Sequence, residues 1–306
     1  MRRRRILFAG LAGLVLLLLM GVVRVYLPIW VGEHPDRALS WRYWQARWRG
    51  EDLFAPEGTL WRGNRALPEI ALTFDDGPDP NTTPIVLDIL KAEGVRATFF
   101  LVGKKIKQHP EIVKRMIAEG HAIGCHSYDH QPQTRLTEEQ VWKQIRDSQI
   151  LIRRVGGQFV AYRPPWLRYN RHVLNAAHAW GVPVVIRTLA GDPIRTDDPD
   201  AWVNFFVRRT RNGAILLMHD TYSQTAAALP RVLQELKARG YRFVTIPELI
   251  DRLPSPQRER AYTWMGRLHA PTTGRNNYHP SGAYAAPSGA KGENTESMRH
   301  VPNPRK

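Results

Sequence analysis

Ile70-Ala71-Leu72-Thr73-Phe74-Asp75-Asp76-Gly77-Pro78 is the stretch that decides the fold. Its apolar half reads as a short buried strand and its Gly-Pro end as a turn. Two adjacent carboxylates at the mouth of a buried strand are costly to hold unless a cation or a reaction uses them. Asp-Asp-Gly-Pro alone is also a common solvated turn, so the rest of the chain has to decide between the two readings.

Working outward, similar apolar runs recur and predict strands at Ile70–Phe74, Thr98–Val102, Ala122–Cys125, Val160–Arg163, Val184–Thr188, Ile215–Met218 and Phe243–Thr245. Helical stretches lie between them. Leu87–Glu93, Pro110–Glu119, Arg171–Trp180 and Ala227–Arg239 each stop at a glycine, namely Gly94, Gly120, Gly181 and Gly240. Thr137-Glu138-Glu139-Gln140 reads as a capping box that opens a further helix. Strand and helix in alternation predict a parallel sheet: a distorted relative of the eightfold barrel or, on pattern alone, an open doubly wound sheet.

The polar residues fall where such a barrel would build a site. Asp75, Asp76, His126, Arg163, Asp192 and His219 all sit at or just after the C-terminal ends of predicted strands. His126 and His130, within His126-Ser127-Tyr128-Asp129-His130, are expected on one face of a helical turn. One carboxylate and two imidazoles are a donor set for a catalytic divalent ion, which leaves the second carboxylate free to act as a base.

Thr73-Phe74-Asp75-Asp76-Gly77-Pro78, His126-Ser127-x-x-His130, Arg163-Pro164-Pro165-Trp166, Asp192 and Leu216-Leu217-Met218-His219-Asp220 occur in one order. In these motifs residues 67–254 resemble the polysaccharide deacetylases of the NodB homology type, carbohydrate esterase family 4. The resemblance implies a distorted (β/α)7 barrel and a divalent metal held by Asp76, His126 and His130, with Zn2+ expected and Co2+ or another divalent ion as alternatives. It further implies that Asp75 is the base, with Arg163 as its cationic neighbour, and that His219, across the pocket, is the acid that protonates the leaving amine. Asp192 would hold the His219 ring, a backbone N–H near Trp166 would meet the oxyanion, and Trp166 and Leu217 would line the sugar and acetyl site.

The chain departs from the family pattern at Asp192-Pro193, where Asp-Trp is usual, at Leu167, where Gly is common, and at Cys125, where Asn is frequent. Asp197, Asp198 or Asp200 could therefore support His219 instead, and Trp202 could fill the missing aromatic position. The implied substrate is an acetylated glycan, an N-acetylglucosamine polymer with peptidoglycan foremost. Chitin oligomers, poly-N-acetylglucosamine and O-acetylated xylan stay open, as does an inactive glycan-binding envelope protein.

The ends place the domain. Met1–Arg5 is a basic tail, and Ile6–Val23 is an uncharged run expected to span the membrane as a single-pass signal-anchor. A cleaved signal peptide is the alternative, but the run leads into Arg24-Val25-Tyr26 rather than a small-x-small cleavage site. The four leading arginines keep the N-terminus cytoplasmic and put the domain outside. Residues 24–66 form an aromatic and basic linker that includes Trp41-Arg42-Tyr43-Trp44, and residues 255–306, rich in Pro and Gly, read as disordered.

The net charge is +16, spread along the chain rather than gathered on the motif-bearing segment. That argues against nucleic acid as a partner and for an anionic wall or lipid surface. Nothing in the sequence calls for an obligate protein partner. The lone Cys125 excludes an internal disulfide and is expected to face away from His126 as a core residue. His109, His121, His172 and His178 read as ordinary helix or loop residues.

Overall fold

The computed structural model describes residues 58–190 and 197–266. The expected anchor, residues 24–57 of the linker, Asp192 and the chain beyond 266 lie outside the described residues. Strands β1 (Thr59–Leu60), β2 (Glu69–Asp75), β3 (Thr98–Leu101), β4 (Ala122–Cys125), β5 (Phe159–Tyr162), β6 (Val184–Val185), β7 (Leu189–Ala190), β8 (Ile215–His219) and β9 (Arg242–Val244) form one sheet. Its hydrogen-bonded order is β1-β6-β5-β4-β3-β2-β8-β7, with β9 beside β2, and every pairing is parallel. Only Ile186-Arg187-Thr188 separates β6 from β7, yet one pairs with β5 and the other with β8. The sheet is thereby curved into a parallel half-barrel with helices on its outer face.

The helices are α1 (Thr83–Ala92), α2 (Gly103–Gln108), α3 (Pro110–Ala118), α4 (Glu138–Arg154), α5 (Arg171–Ala179), α6 (Pro199–Arg209), α7 (Ser223–Ala238), α8 (Ile246–Asp251) and α9 (Gln257–Trp264). The capping box forms as expected, with Thr137 Oγ1 accepting from Gln140 N and Gln140 Oε1 from Thr137 N. Gly94, Gly120, Gly181 and Gly240 all take positive φ just past the helices they were expected to end.

Alternation along the strands divides two cores. Leu72, Phe74, Phe99, Leu101, Ile123 and Cys125 face the helices, while Ala71, Phe100, Ala161, Val185 and Ile215 point into the half-barrel. Cys125 thus lies in the outer core as expected, where burial pushes its thiol up to about 12 and keeps it uncharged. Gly124 faces inward, and a β-carbon there would lie 2.4 Å from the Phe100 ring, so the glycine makes room for that ring.

The folded body extends beyond residues 67–254 at both ends. β1 precedes it, and α9 follows in a stretch that composition assigns to a disordered tail. Two residues cannot display a period, and α9 fully buries only Ala261, with Met265 just beyond it and Tyr262 and Trp264 partly buried against the inward core, too irregular a stripe to read in advance. With Ile246, Leu249, Ile250 and Leu253 these residues pack on the inward core, and Ile246 N donates to Thr98 Oγ1 at the first residue of β3. The opposite, C-terminal ends of the strands carry the polar residues.

Candidate active site and metal centre

Asp75 ends β2 and His219 ends β8, and the two are register partners on neighbouring strands. His219 was expected across the pocket, but its strand position is beside Asp75. The parallel register of Leu72–Asp75 with Leu216–His219 imposes this, because paired residues direct their side chains to the same face.

Arg163 follows β5 and crosses the inside of the half-barrel, fully buried. Its Nη1 donates to Asp75 Oδ1 at 2.7 Å and to Thr73 Oγ1 at 2.8 Å, its Nη2 to Ile186 O and its Nε to Val185 O. The guanidinium carbon stacks 4.0 Å from the Phe100 ring centre. Burial lowers the Arg163 pKa and Asp75 opposes that shift. All three guanidinium nitrogens make hydrogen bonds, as a buried charge requires.

Asp76, one residue on, has a different environment. Its φ is 73°, a left-handed value that aspartate tolerates better than most residues, and its side chain turns toward two imidazoles. Asp76 Oδ1 is buried and makes no hydrogen bond, and it lies 3.4 Å from His126 Nε2 and 3.1 Å from His130 Nε2. Metal bonds of about 2.0–2.1 Å at tetrahedral angles set neighbouring donor atoms about 3.3 Å apart, so these three atoms fit one ion. Burial opposes ionisation of Asp76, and His126, His130 and His219 outweigh it, so its pKa is lowered. Burial likewise opposes charging of His126, while Asp75 and Asp76 raise its pKa. The two shifts are those of a carboxylate and an imidazole that stabilise each other's charged forms.

His126 Nδ1 lies 2.7 Å from the Arg163 carbonyl, which can only accept. In the neutral ring the lone pair therefore sits on Nε2, the atom turned toward Asp76. The expected helical turn is absent. His126–His130 is a loop in which Ser127 (φ 66°) and His130 (φ 61°) are left-handed, and this backbone, rather than i,i+4 spacing, brings the imidazoles to a ring separation of 5.0 Å.

The remaining expectations divide. Trp166 is exposed and its ring meets that of His130 edge-on at 4.6 Å, at the rim of the site. Trp166 and Leu167 have φ of 53° and 60°, so leucine occupies a conformation that favours the glycine common there. Leu217 is only 2% exposed, one layer beneath His219 on β8, and does not form an open wall. Of the alternatives to Asp192, Asp197 accepts from Gln224, Asp198 caps α6 through Asp200 N, and Asp200 pairs with Arg231. Trp202 is buried in the outer core. His121, expected to be ordinary, is buried, accepts from Ala97 N through Nδ1, and has its pKa lowered to about 4 by burial.

Sequence reasoning passed over Asp220 and Tyr222. Asp220 is fully buried, and burial pushes its carboxyl up to about 7. Its Oδ2 accepts from Thr83 Oγ1 and its carbonyl from Thr82 Oγ1, both at 2.6 Å, which ties the loop after β8 to the start of α1. A β-carbon on Gly77 would lie 2.1 Å from Asp220 Oδ2, so this glycine is required by close approach. Tyr222 lies 4.8 Å from the His219 ring and is exposed on the same rim as that imidazole. The only sequence signal for Asp220 was its place directly after His219.

A parallel half-barrel that gathers a carboxylate facing two imidazoles, an arginine-paired carboxylate and a further imidazole at one strand end defines a hydrolase-type site on a barrel-like fold. Comparison with known proteins gives the family. The polysaccharide deacetylase profile matches residues 62–185. The peptidoglycan-N-acetylglucosamine deacetylase PgdA of Listeria monocytogenes is 40% identical over 181 residues, which make up 59% of this chain and only 38% of that protein. A peptidoglycan-N-acetylglucosamine deacetylase of Bacillus cereus is 38% identical over 186 residues, which cover 59% of this chain and 87% of that one. Among solved structures, a peptidoglycan N-acetylglucosamine deacetylase in complex with 4-naphthalen-1-yl-N-oxidanyl-benzamide superposes with a TM-score of 0.61 at 32% identity, covering 63% of this chain and 92% of that one. The chain belongs to the polysaccharide deacetylase family.

Proposed function

We propose that this protein is a divalent-metal-dependent deacetylase that removes N-acetyl groups from N-acetylglucosamine units of peptidoglycan. The observation that carries the reading is the division of labour between adjacent carboxylates: Asp75 is bound to a buried guanidinium, and Asp76 points an unbonded oxygen at two imidazole nitrogens. The relatives named as peptidoglycan deacetylases support the choice of polymer.

Asp76, His126 and His130 would hold the ion, with zinc favoured by a donor set of two imidazoles and one carboxylate. Such an ion supplies Lewis acidity, which activates water and polarises an acyl carbonyl. Asp75 takes a proton from the attacking water as the new C–O bond forms, and Arg163 fixes the carboxylate in place for that transfer. His219 gives a proton to the amide nitrogen as the C–N bond breaks, so the products are acetate and a glycan amine. Leu167 N is bonded back to Pro164 O, and a backbone N–H near Trp166 would be the donor for the oxyanion. The exposed Trp166 ring forms one wall of the sugar site.

Ile6–Val23 would anchor the protein in the cell membrane with its N-terminus cytoplasmic, holding the domain at the wall. Among the described residues no helix is long and apolar enough to cross a membrane.

The test is acetate release from purified peptidoglycan and from N-acetylglucosamine oligomers by the metal-stripped protein before and after addition of zinc. Zinc-restored release supports the reading. Equal release with and without metal, or none with zinc bound, contradicts it.

A further inference from the structure

The metal-binding loop carries two left-handed residues without glycine, at roughly 1–2 kcal/mol each, and such a backbone persists only where surrounding groups over-determine it. Its bonds show what does so. On one side, Gly103 N and Lys104 N at the start of α2 donate to the carbonyls of Ser127 (3.0 Å) and Tyr128 (2.8 Å). Within the loop, His130 N donates to Ser127 Oγ at 2.9 Å. On the other side, Oε1 of Gln144, in the middle of α4, accepts from both Tyr128 N (2.8 Å) and Asp129 N (3.2 Å). The three parts meet closely: a β-carbon on Gly103 would lie 2.6 Å from both Ser148 Oγ and the Tyr128 ring.

The two histidines are not held alike. His126 has its own ring bond to the Arg163 carbonyl, whereas the His130 ring rests against Trp166 and Asp76, so its position depends on the backbone beneath it. From this geometry we infer that Gln144 is a positioning residue for the metal centre: its single amide oxygen fastens the Tyr128 and Asp129 N–H groups and thereby sets where His130 Nε2 stands relative to Asp76 and His126. The inference rests on the reading of Asp76, His126 and His130 as metal ligands.

Two substitutions isolate the acceptor. Gln144→Met keeps length and helix propensity and removes the oxygen, while Gln144→Glu restores an oxygen at the same reach. Gln149→Met is the control, because buried Gln149 lies on the same helix and accepts from Phe159 N (3.3 Å), a backbone group outside the loop. Zinc affinity is read by competition with a chromophoric chelator at a temperature where each protein is folded by circular dichroism.

Gln144→Met is expected to weaken zinc binding by about 10- to 100-fold, the usual effect of losing an outer partner of a metal ligand. Gln144→Glu should stay within about threefold of the parent, and Gln149→Met should lower thermal stability without moving zinc affinity. Parent-like affinity in Gln144→Met overturns the inference, as does an equal loss in Gln149→Met. Should Gln144→Met not fold, the glutamate variant decides: retained affinity supports the acceptor role and lost affinity refutes it. A parent protein that binds no zinc, or an Asp76→Ala variant that binds it as tightly as the parent, overturns the metal-centre reading itself and the role of Gln144 with it.

Discussion

Arg163 Nη1 stands 2.7 Å from Asp75 Oδ1 with both side chains buried, and the backbone carbonyl of the same arginine accepts from His126 Nδ1. One residue therefore holds the proposed base, Asp75, through its side chain and a proposed metal ligand, His126, through its main chain. The two roles can be separated by mutation. Arg163→Met strands the Asp75 carboxylate in the interior, which should cost about 3–5 kcal/mol of stability. It leaves the carbonyl under His126 in place. Urea denaturation should show the loss, acetate release should fall at least about 100-fold, and zinc affinity should change far less than the rate.

If His219 protonates the leaving group, as proposed, the effect of losing it should depend on how well that group leaves. His219→Gln is expected to lower kcat on acetylated glycan by about 10²–10⁴-fold. On an aryl acetate, whose phenolate departs without a proton, the loss should be much smaller. Parallel assays of the two substrates check this, and equal losses on both would assign His219 to another role.

His121 predicts a pH dependence of folding remote from the chemistry. Burial lowers its pKa to about 4 from 6.5, so between those values the unfolded chain binds a proton that the folded chain refuses. Its contribution to stability is fully present above pH 6.5 and is lost as pH falls toward 4, by about 3 kcal/mol in all. His121→Asn keeps an acceptor for Ala97 N and should flatten that part of the stability profile. Urea denaturation of parent and variant from pH 7 to pH 4 measures the difference.

Much of this was legible from local sequence. Ile70–Phe74 could be read as a strand because the run is short, apolar and closed by Gly77-Pro78, and α4 announced itself through the bonds of Thr137 and Gln140. The line of Asp75, Asp76, His126, Arg163 and His219 along the strand ends follows from strand periodicity alone. What could not be read depends on distant partners. The left-handed path of Ser127–His130 is imposed by Gly103, Lys104 and Gln144, so spacing suggested a helical turn that does not form. β1 and β7 are two residues each and exist only as partners of β6 and β8. The burial of Asp220 beneath Gly77 joins two loops far apart in the chain, and no local pattern encodes it.

If the neighbouring carboxylates divide ion binding from proton transfer, as proposed, the Asp75→Asn variant separates the two. Zinc affinity and acetate release from peptidoglycan should be measured together on this variant, with Asp76→Ala beside it. Asp75→Asn is expected to bind zinc within a fewfold of the parent and to release almost no acetate, while Asp76→Ala is expected to lose both. An Asp75→Asn protein that still deacetylates at the parent rate, or that loses zinc as Asp76→Ala does, would contradict that division.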